Sequence, residues 1–218
     1  MNADSGAIPE SAFLLKGQKN KMSGADEKAE QTALEILFAF YPDDTPFRQM
    51  LLKHSYQVCG KALQLMSDPR CRNLNADRST VVTGALLHDV GIGRCHAPDI
   101  LCEGTEPYIA HGIIGAGMLR ELGAGTGRDL ECYARICERH TGTGLTAADI
   151  RRQKLPLPER DFLPETIEEK LICFADKFYS KSGDMKEKSM ERIRRSMEKF
   201  GAETLTRWSE LCRLFGAE

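Results

Sequence analysis

The sequence predicts an all-α protein, a bundle of roughly eight to ten helices, from three observations. Apolar residues recur at spacings of three and four along most of the chain. The clusters of Gly, Pro, Asp and Thr that interrupt them stand where helices start and stop. No segment alternates apolar with polar residues as a half-buried strand does.

Residues 1–24 are polar, with Gly6, Pro9, Gly17 and Gly24 breaking any period, and read as a flexible N-terminal arm. A helix follows over 26–40. Pro42 to Pro46 form a turn in which Thr45 caps the next helix and Pro46 takes its first position, where a missing N–H costs nothing. That helix runs to Met66, and Ser67-Asp68-Pro69 ends it. Asp77 is the expected cap of a helix that stops at Gly91-Ile92-Gly93. A strand-free loop of about 15 residues, with Pro98, Gly104 and Pro107, leads to a helix starting near His111; loops this long often wall an active site. Gly123 to Gly127 separate it from a helix ending at His140, and Thr141-Gly142-Thr143-Gly144 is a sharp stop. Thr146 to Asp149 form a capping-box variant that opens a short helix. Pro156, Pro158 and Pro164 keep the next stretch extended. Helices are then expected over 165–179, 186–200 and 202–215.

Composition narrows the functional classes. The 218 residues are 41% hydrophobic, enough for one sizeable core, and a net charge of -2 offers no basic field for nucleic acid. The longest apolar run, residues 36–41, is too short to span a bilayer, and the first residues lack a basic signal-peptide start. Eight cysteines without a CxxC pair read as reduced thiols, so the cytoplasm is the expected compartment. Within the basic 186–199 segment, Glu187, Glu191 and Glu198 balance the cations into a solvated face. Trp208, Leu211, Leu214 and Phe215 read as core or a homodimer contact.

Chemistry concentrates at His88-Asp89, at the end of an apolar helix bearing Val82, Ala85 and Leu86. Burying an aspartate without a cation costs several kcal/mol, of order ~5 after relaxation, so a positive partner is expected. The rest of the chain offers one. His54 lies on the stripe Phe47, Leu51, Val58, Ala62, Leu65. His111 shares a face with Ile114, Gly115, Met118 and Leu122, and His140 ends the stripe Leu130, Tyr133, Cys137. Asp176 follows Ile172 by four residues. A single histidine on an apolar face is ordinarily a hydrogen-bonded core residue; six such ligands from five helices are a metal site. A mixed His/carboxylate set suits Fe, Mn, Co, Ni or Zn better than Ca or Mg.

The ordered set His54, His88-Asp89, His111, His140, Asp176, with Leu86-Leu87-His88-Asp89-Val90-Gly91 as its signature, resembles the HD-domain superfamily of metal-dependent phosphohydrolases. The resemblance spans about 48–182, the metal-site core of one domain over 25–218 that also holds the C-terminal helices at 186–215. It implies that His54, His88, Asp89 and Asp176 hold a first metal. It implies also that His111 and His140 mark the dinuclear branch, with Asp89 bridging to a second. Arg139-His140-Thr141-Gly142 looks like the bacterial HD-type hydrolases that split diadenosine tetraphosphate. Ile92 stands where many relatives have a phosphate-binding lysine, and the Glu-Asp and Gly-Tyr-Pro signatures of stringent-nucleotide hydrolases and cyclic-dinucleotide phosphodiesterases are missing.

Two divalent transition metals, Fe or Mn foremost, would acidify water to a pKa near ~7 and bind the phosphoryl oxygens. Asp89 is the natural bridge and the central catalytic group, because imidazole offers a metal only one lone pair. His96, close to the HD turn, is a candidate proton donor to the leaving group. Arg94, Arg139, Lys177 and Lys181 are candidate contacts for the phosphate of a small substrate, a nucleotide among the options. Two other readings share these ligands: an HD-type di-iron oxygenase, and a regulatory module that binds nucleotide without turnover.

Overall fold

A computed structural model describes residues 24–217. The expected arm lies outside the described residues except for Gly24. The protein is all-α: nine α-helices among the described residues, several short 3-10 turns and one minimal hairpin. The helices are α1 (Gly24–Phe40), α2 (Pro46–Met66), α3 (Arg78–Leu87), α4 (His111–Thr126), α5 (Glu131–Arg139), α6 (Ala147–Gln153), α7 (Ile167–Asp176), α8 (Met190–Glu198) and α9 (Ala202–Leu214).

Local chemistry sets these boundaries. Thr45 accepts from the Arg48 N–H and Asp77 from the Thr80 N–H, as their positions before Pro46 and Arg78 require. Thr146 and Thr166 each form a reciprocal capping box, with Asp149 and Glu169. α1 packs on α3, α2 on α3 and α7, and α4 on α5, so α3 is the spine. Buried apolar residues form one cluster from Ala29 to Phe215. Trp208, Leu211 and Phe215 belong to it: the Phe174 ring on α7 stacks on Trp208 at 4.9 Å and meets Phe215 at 5.2 Å. They are core of this chain, with Leu214 partly buried against them. No cysteine is disulfide-bonded, and seven of the eight are buried. No helix among the described residues is long and apolar enough to cross a membrane.

Four expectations are corrected. α4 continues through Gly123 to Thr126, where Gly127 supplies the left-handed cap at φ 69°. α7 stops at Asp176, and α8 begins only at Met190, with the Ser189 hydroxyl as its cap. The loop before His111 is not strand-free: His96–Ala97 pair antiparallel with Cys102–Glu103, a ladder too short to leave an alternation in the sequence. α3 ends at Leu87, a turn earlier than expected, and the chain passes through His88-Asp89 into a 3-10 helix over Val90–Arg94.

Candidate metal centre

Helix ends supply the site. His54 projects from mid-α2, whereas His88 follows α3, His111 opens α4, His140 follows α5 and Asp176 is the last residue of α7. Glycines let those ends converge. A Cβ on Gly91 would sit 2.2 Å from the His111 carbonyl oxygen, and one on Gly112 would sit 2.4 Å from that of Cys137. Only glycine permits these backbone approaches, which bring His111 to Asp89 and to His140.

All six residues are buried, His54, His88 and Asp89 completely. His54 Nε2 lies 3.0 Å from Asp176 Oδ1 and 3.2 Å from Asp89 Oδ2. His88 Nε2 lies 3.1 Å from Asp89 Oδ2. The other Asp89 oxygen, Oδ1, is 3.3 Å from His140 Nε2 and 3.5 Å from His111 Nε2. Ligand atoms thus fall into two groups, His54/His88/Asp89/Asp176 and Asp89/His111/His140, each within 4.8 Å, with Asp89 common to both.

The tautomers follow from the backbone. His88, His111 and His140 each donate Nδ1–H to the carbonyl three residues earlier: Ala85 at 2.7 Å, Tyr108 at 2.6 Å and Cys137 at 2.7 Å. Their Nε2 lone pairs are thereby aimed into the cluster, the arrangement that metal-ligating histidines use. His111 Nε2 and His140 Nε2 face each other at 3.0 Å with their protons committed elsewhere, a contact that only a cation relieves. Asp89 Oδ1 and His88 Nε2 have no well-directed hydrogen bond although they are buried, while Asp89 Oδ2 pairs with the Lys181 ammonium at 2.7 Å. Such orphaned polar atoms are costly unless something else binds them. The residues present therefore fit divalent metal.

Electrostatics agree. Burial pushes the Asp89 carboxyl up, but His88 and Lys181 outweigh it and hold it well below the usual range. For Asp176, Lys177 and Lys181 do the same. Burial opposes a charged His88, yet Asp89 and Asp176 carry its pKa up to about 9. Burial and the neighbouring His140 press His111 down to about 3, so it stays neutral. The cluster draws positive charge onto groups that can carry it.

Of the other candidates, two lysines reach the cluster. Lys181 Nζ is 2.7 Å from Asp89 Oδ2, and Lys177 Nζ is 2.7 Å from Asp176 Oδ2 and donates to the His140 carbonyl. Three do not. Arg139 is turned away: it donates to the Leu163 carbonyl at 2.6 Å and pairs with Glu165 at 2.6 Å. His96 is exposed on a strand whose next residue, Ala97, lines the cavity at the site; successive strand residues face opposite ways. Arg94 is exposed, its carbonyl accepting from the Thr105 and Glu106 N–H groups and its charge acting on Tyr41. Tyr108 was not foreseen: its ring stacks on His111 at 4.8 Å, and nothing but its place three residues before His111 could have signalled it.

The sequence resembles known proteins. A family model described as HD domain matches residues 51–180. An uncharacterized protein of Methanocaldococcus jannaschii is 36% identical over 126 residues, 58% of this chain and 64% of its own. Proteins of Picrophilus torridus and Thermoplasma volcanium, both named tRNA (cytidine(56)-2'-O)-methyltransferase, are 34% and 29% identical over 151 residues. That stretch is 69% of this chain but only 36% of each of theirs. No solved structure matches significantly.

Proposed function

The chain belongs to the HD domain family, and on that premise we propose that it is a metal-dependent phosphohydrolase acting on a nucleotide or other small phosphorylated metabolite. One observation carries the reading: a buried carboxylate, Asp89, is common to two sets of imidazole and carboxylate ligands, with Oδ2 toward His54 and His88 and Oδ1 toward His111 and His140. His54, His88, Asp89 and Asp176 would hold one divalent metal, and Asp89, His111 and His140 a second. When bound, the metals supply Lewis acidity and water acidified towards a pKa of about 7.

The chain's own groups do the rest. The Nδ1–H bonds to Ala85, Tyr108 and Cys137 fix the imidazoles before substrate arrives. Lys177 and Lys181, at the cluster's edge, offer positive charge to the phosphoryl oxygens. Tyr108 and Ile100 form an apolar wall of the adjoining cavity. The methyltransferase name of two relatives is not carried over, because the match covers 36% of their length.

The test is phosphate or nucleotide release by anaerobically purified protein reconstituted with Fe(II) or Mn(II), over mononucleotides, dinucleotide polyphosphates and sugar phosphates. Turnover abolished in Asp89→Ala supports the reading. Metal-loaded protein that is silent across the panel but consumes oxygen would replace it with the oxygenase.

A further inference from the structure

Two adjoining cavities lead outward from the cluster. The inner one, of about 420 Å³, is bordered by Asp176, Lys177, Lys181 and Tyr108. The outer one, of about 650 Å³, lies along the start of α8. Lys177, Ser180, Lys188 and Met197 line both, so the two form one trough. Cations dominate the outer part: Lys177, Lys188, Arg192, Arg195 and Lys199 against a single acid, Glu191. Glu191 is engaged by Arg195 at 2.7 Å. Among the described residues Lys188, Arg192 and Lys199 form no ion pair within 4.0 Å, although the charge of Arg192 is felt at Asp184, whereas Arg194 and Arg195 pair with Glu198 and Glu191.

Lys188 is also placed, not merely exposed. Its backbone N–H donates to the Phe178 carbonyl at 2.7 Å, which ties it two residues beyond Asp176. Its half-buried ammonium is pushed down to about 8, first by burial and then by Lys177, Arg192 and Lys181 against the pull of Asp176. A cation held beside three others, at the mouth of a site for a phosphoryl group, is costly unless an anion joins it.

We infer that Lys188 and Arg192, with Lys177 between them and the cluster, form a subsite for a second phosphoryl group, so that the substrate is a small molecule carrying two or more phosphates. The inference rests on the phosphohydrolase reading for what occupies the cluster itself. The solvated face expected for 186–199 is therefore mixed: Arg194 pairs with Glu198 and faces water, whereas Lys188 and Arg192 face the trough.

The test is equilibrium binding of inorganic phosphate and of tripolyphosphate to Mn(II)-loaded full-length protein, with metal content checked afterwards to exclude stripping. Tripolyphosphate should bind at least about tenfold more tightly than phosphate, as two added charge-assisted contacts imply. The double variant Lys188→Met/Arg192→Met should lose most of that preference while its phosphate affinity stays within about twofold. Arg194→Met, alone and combined with Lys186→Met so that the same two charges are removed outside the trough, should keep the preference, separating a subsite from a diffuse field. No preference in the wild type, or equal loss in either Arg194→Met control, would overturn the subsite. A preference that survives while no phosphoester is turned over would leave the subsite standing and remove the phosphohydrolase.

Discussion

Gly91→Ala perturbs the site without touching a ligand. The added methyl would stand 2.2 Å from the His111 carbonyl oxygen, 2.4 Å from the Gly115 nitrogen and 2.9 Å from the Gly115 Cα, all backbone of α4. Ordinary contact begins at about 3.4 Å, so α4 must retreat by about 1 Å, because no side chain can swing aside. Overpacking of this kind costs about 1–3 kcal/mol, or roughly 3–10 °C in Tm for a chain this size. The retreat carries His111 away from Asp89, and ligand geometry tolerates only about 0.5 Å. Gly117→Ala on the same helix is the control: nothing lies within 4 Å of its Cβ, so it should be neutral or stabilise by up to about 1 kcal/mol. Thermal melting with metal analysis reads both. Gly91→Ala should lower Tm and bound metal in the Asp89/His111/His140 group, and Gly117→Ala neither. Equal behaviour of the two variants would refute the claim that close α4 packing at Gly91 sets the ligand spacing.

Further outcomes follow from the same structure. Arg139→Met should lower stability by about 1–3 kcal/mol through the lost Leu163 and Glu165 contacts, with KM unchanged; a raised KM at unchanged Tm would return Arg139 to the site. His96→Ala should leave kcat and its pH profile intact, since the ring is exposed on the far side of the strand; loss of the alkaline limb of the profile would contradict that placement. Asp149 is buried and pairs with Arg207 at 2.7 Å, and its pKa lies below 3.8 because Thr146 and Arg207 outweigh burial. A depressed pKa gives stability that is present above the unfolded value and lost as pH falls through the folded one. Asp149→Ala should therefore cost about 3 kcal/mol at pH 7, and progressively less as pH falls through the folded pKa below 3.8, measured by denaturant unfolding. A cost independent of pH would show that the charge is not what matters.

The helical class and the six clustered residues were legible because each sits on an apolar stripe, where a polar side chain must find a partner. Caps at Thr45, Asp77 and Thr146 were legible for the same local reason. Helix ends were less so: α3 gives way to a 3-10 turn after Leu87, and α4 runs on through Gly123 until Gly127 adopts the left-handed conformation. The direction of a cation was not legible at all. Arg139 and Lys177 each adjoin a cluster residue, yet one turns to Glu165 and the other to Asp176. Likewise, Lys188 differs from Arg194 only in what the fold places opposite it. Such facts depend on contacts distant in sequence, and periodicity carries no trace of them.

Asp89 belongs to both ligand groups, so both metals depend on it. Metal content of protein reconstituted anaerobically with Fe(II) or Mn(II) and freed of excess ion tests this. Two ions per chain are expected in the wild type, about one in His140→Ala and in His111→Ala, and less than one in Asp89→Ala. One ion per chain, unchanged by either histidine substitution, would contradict it.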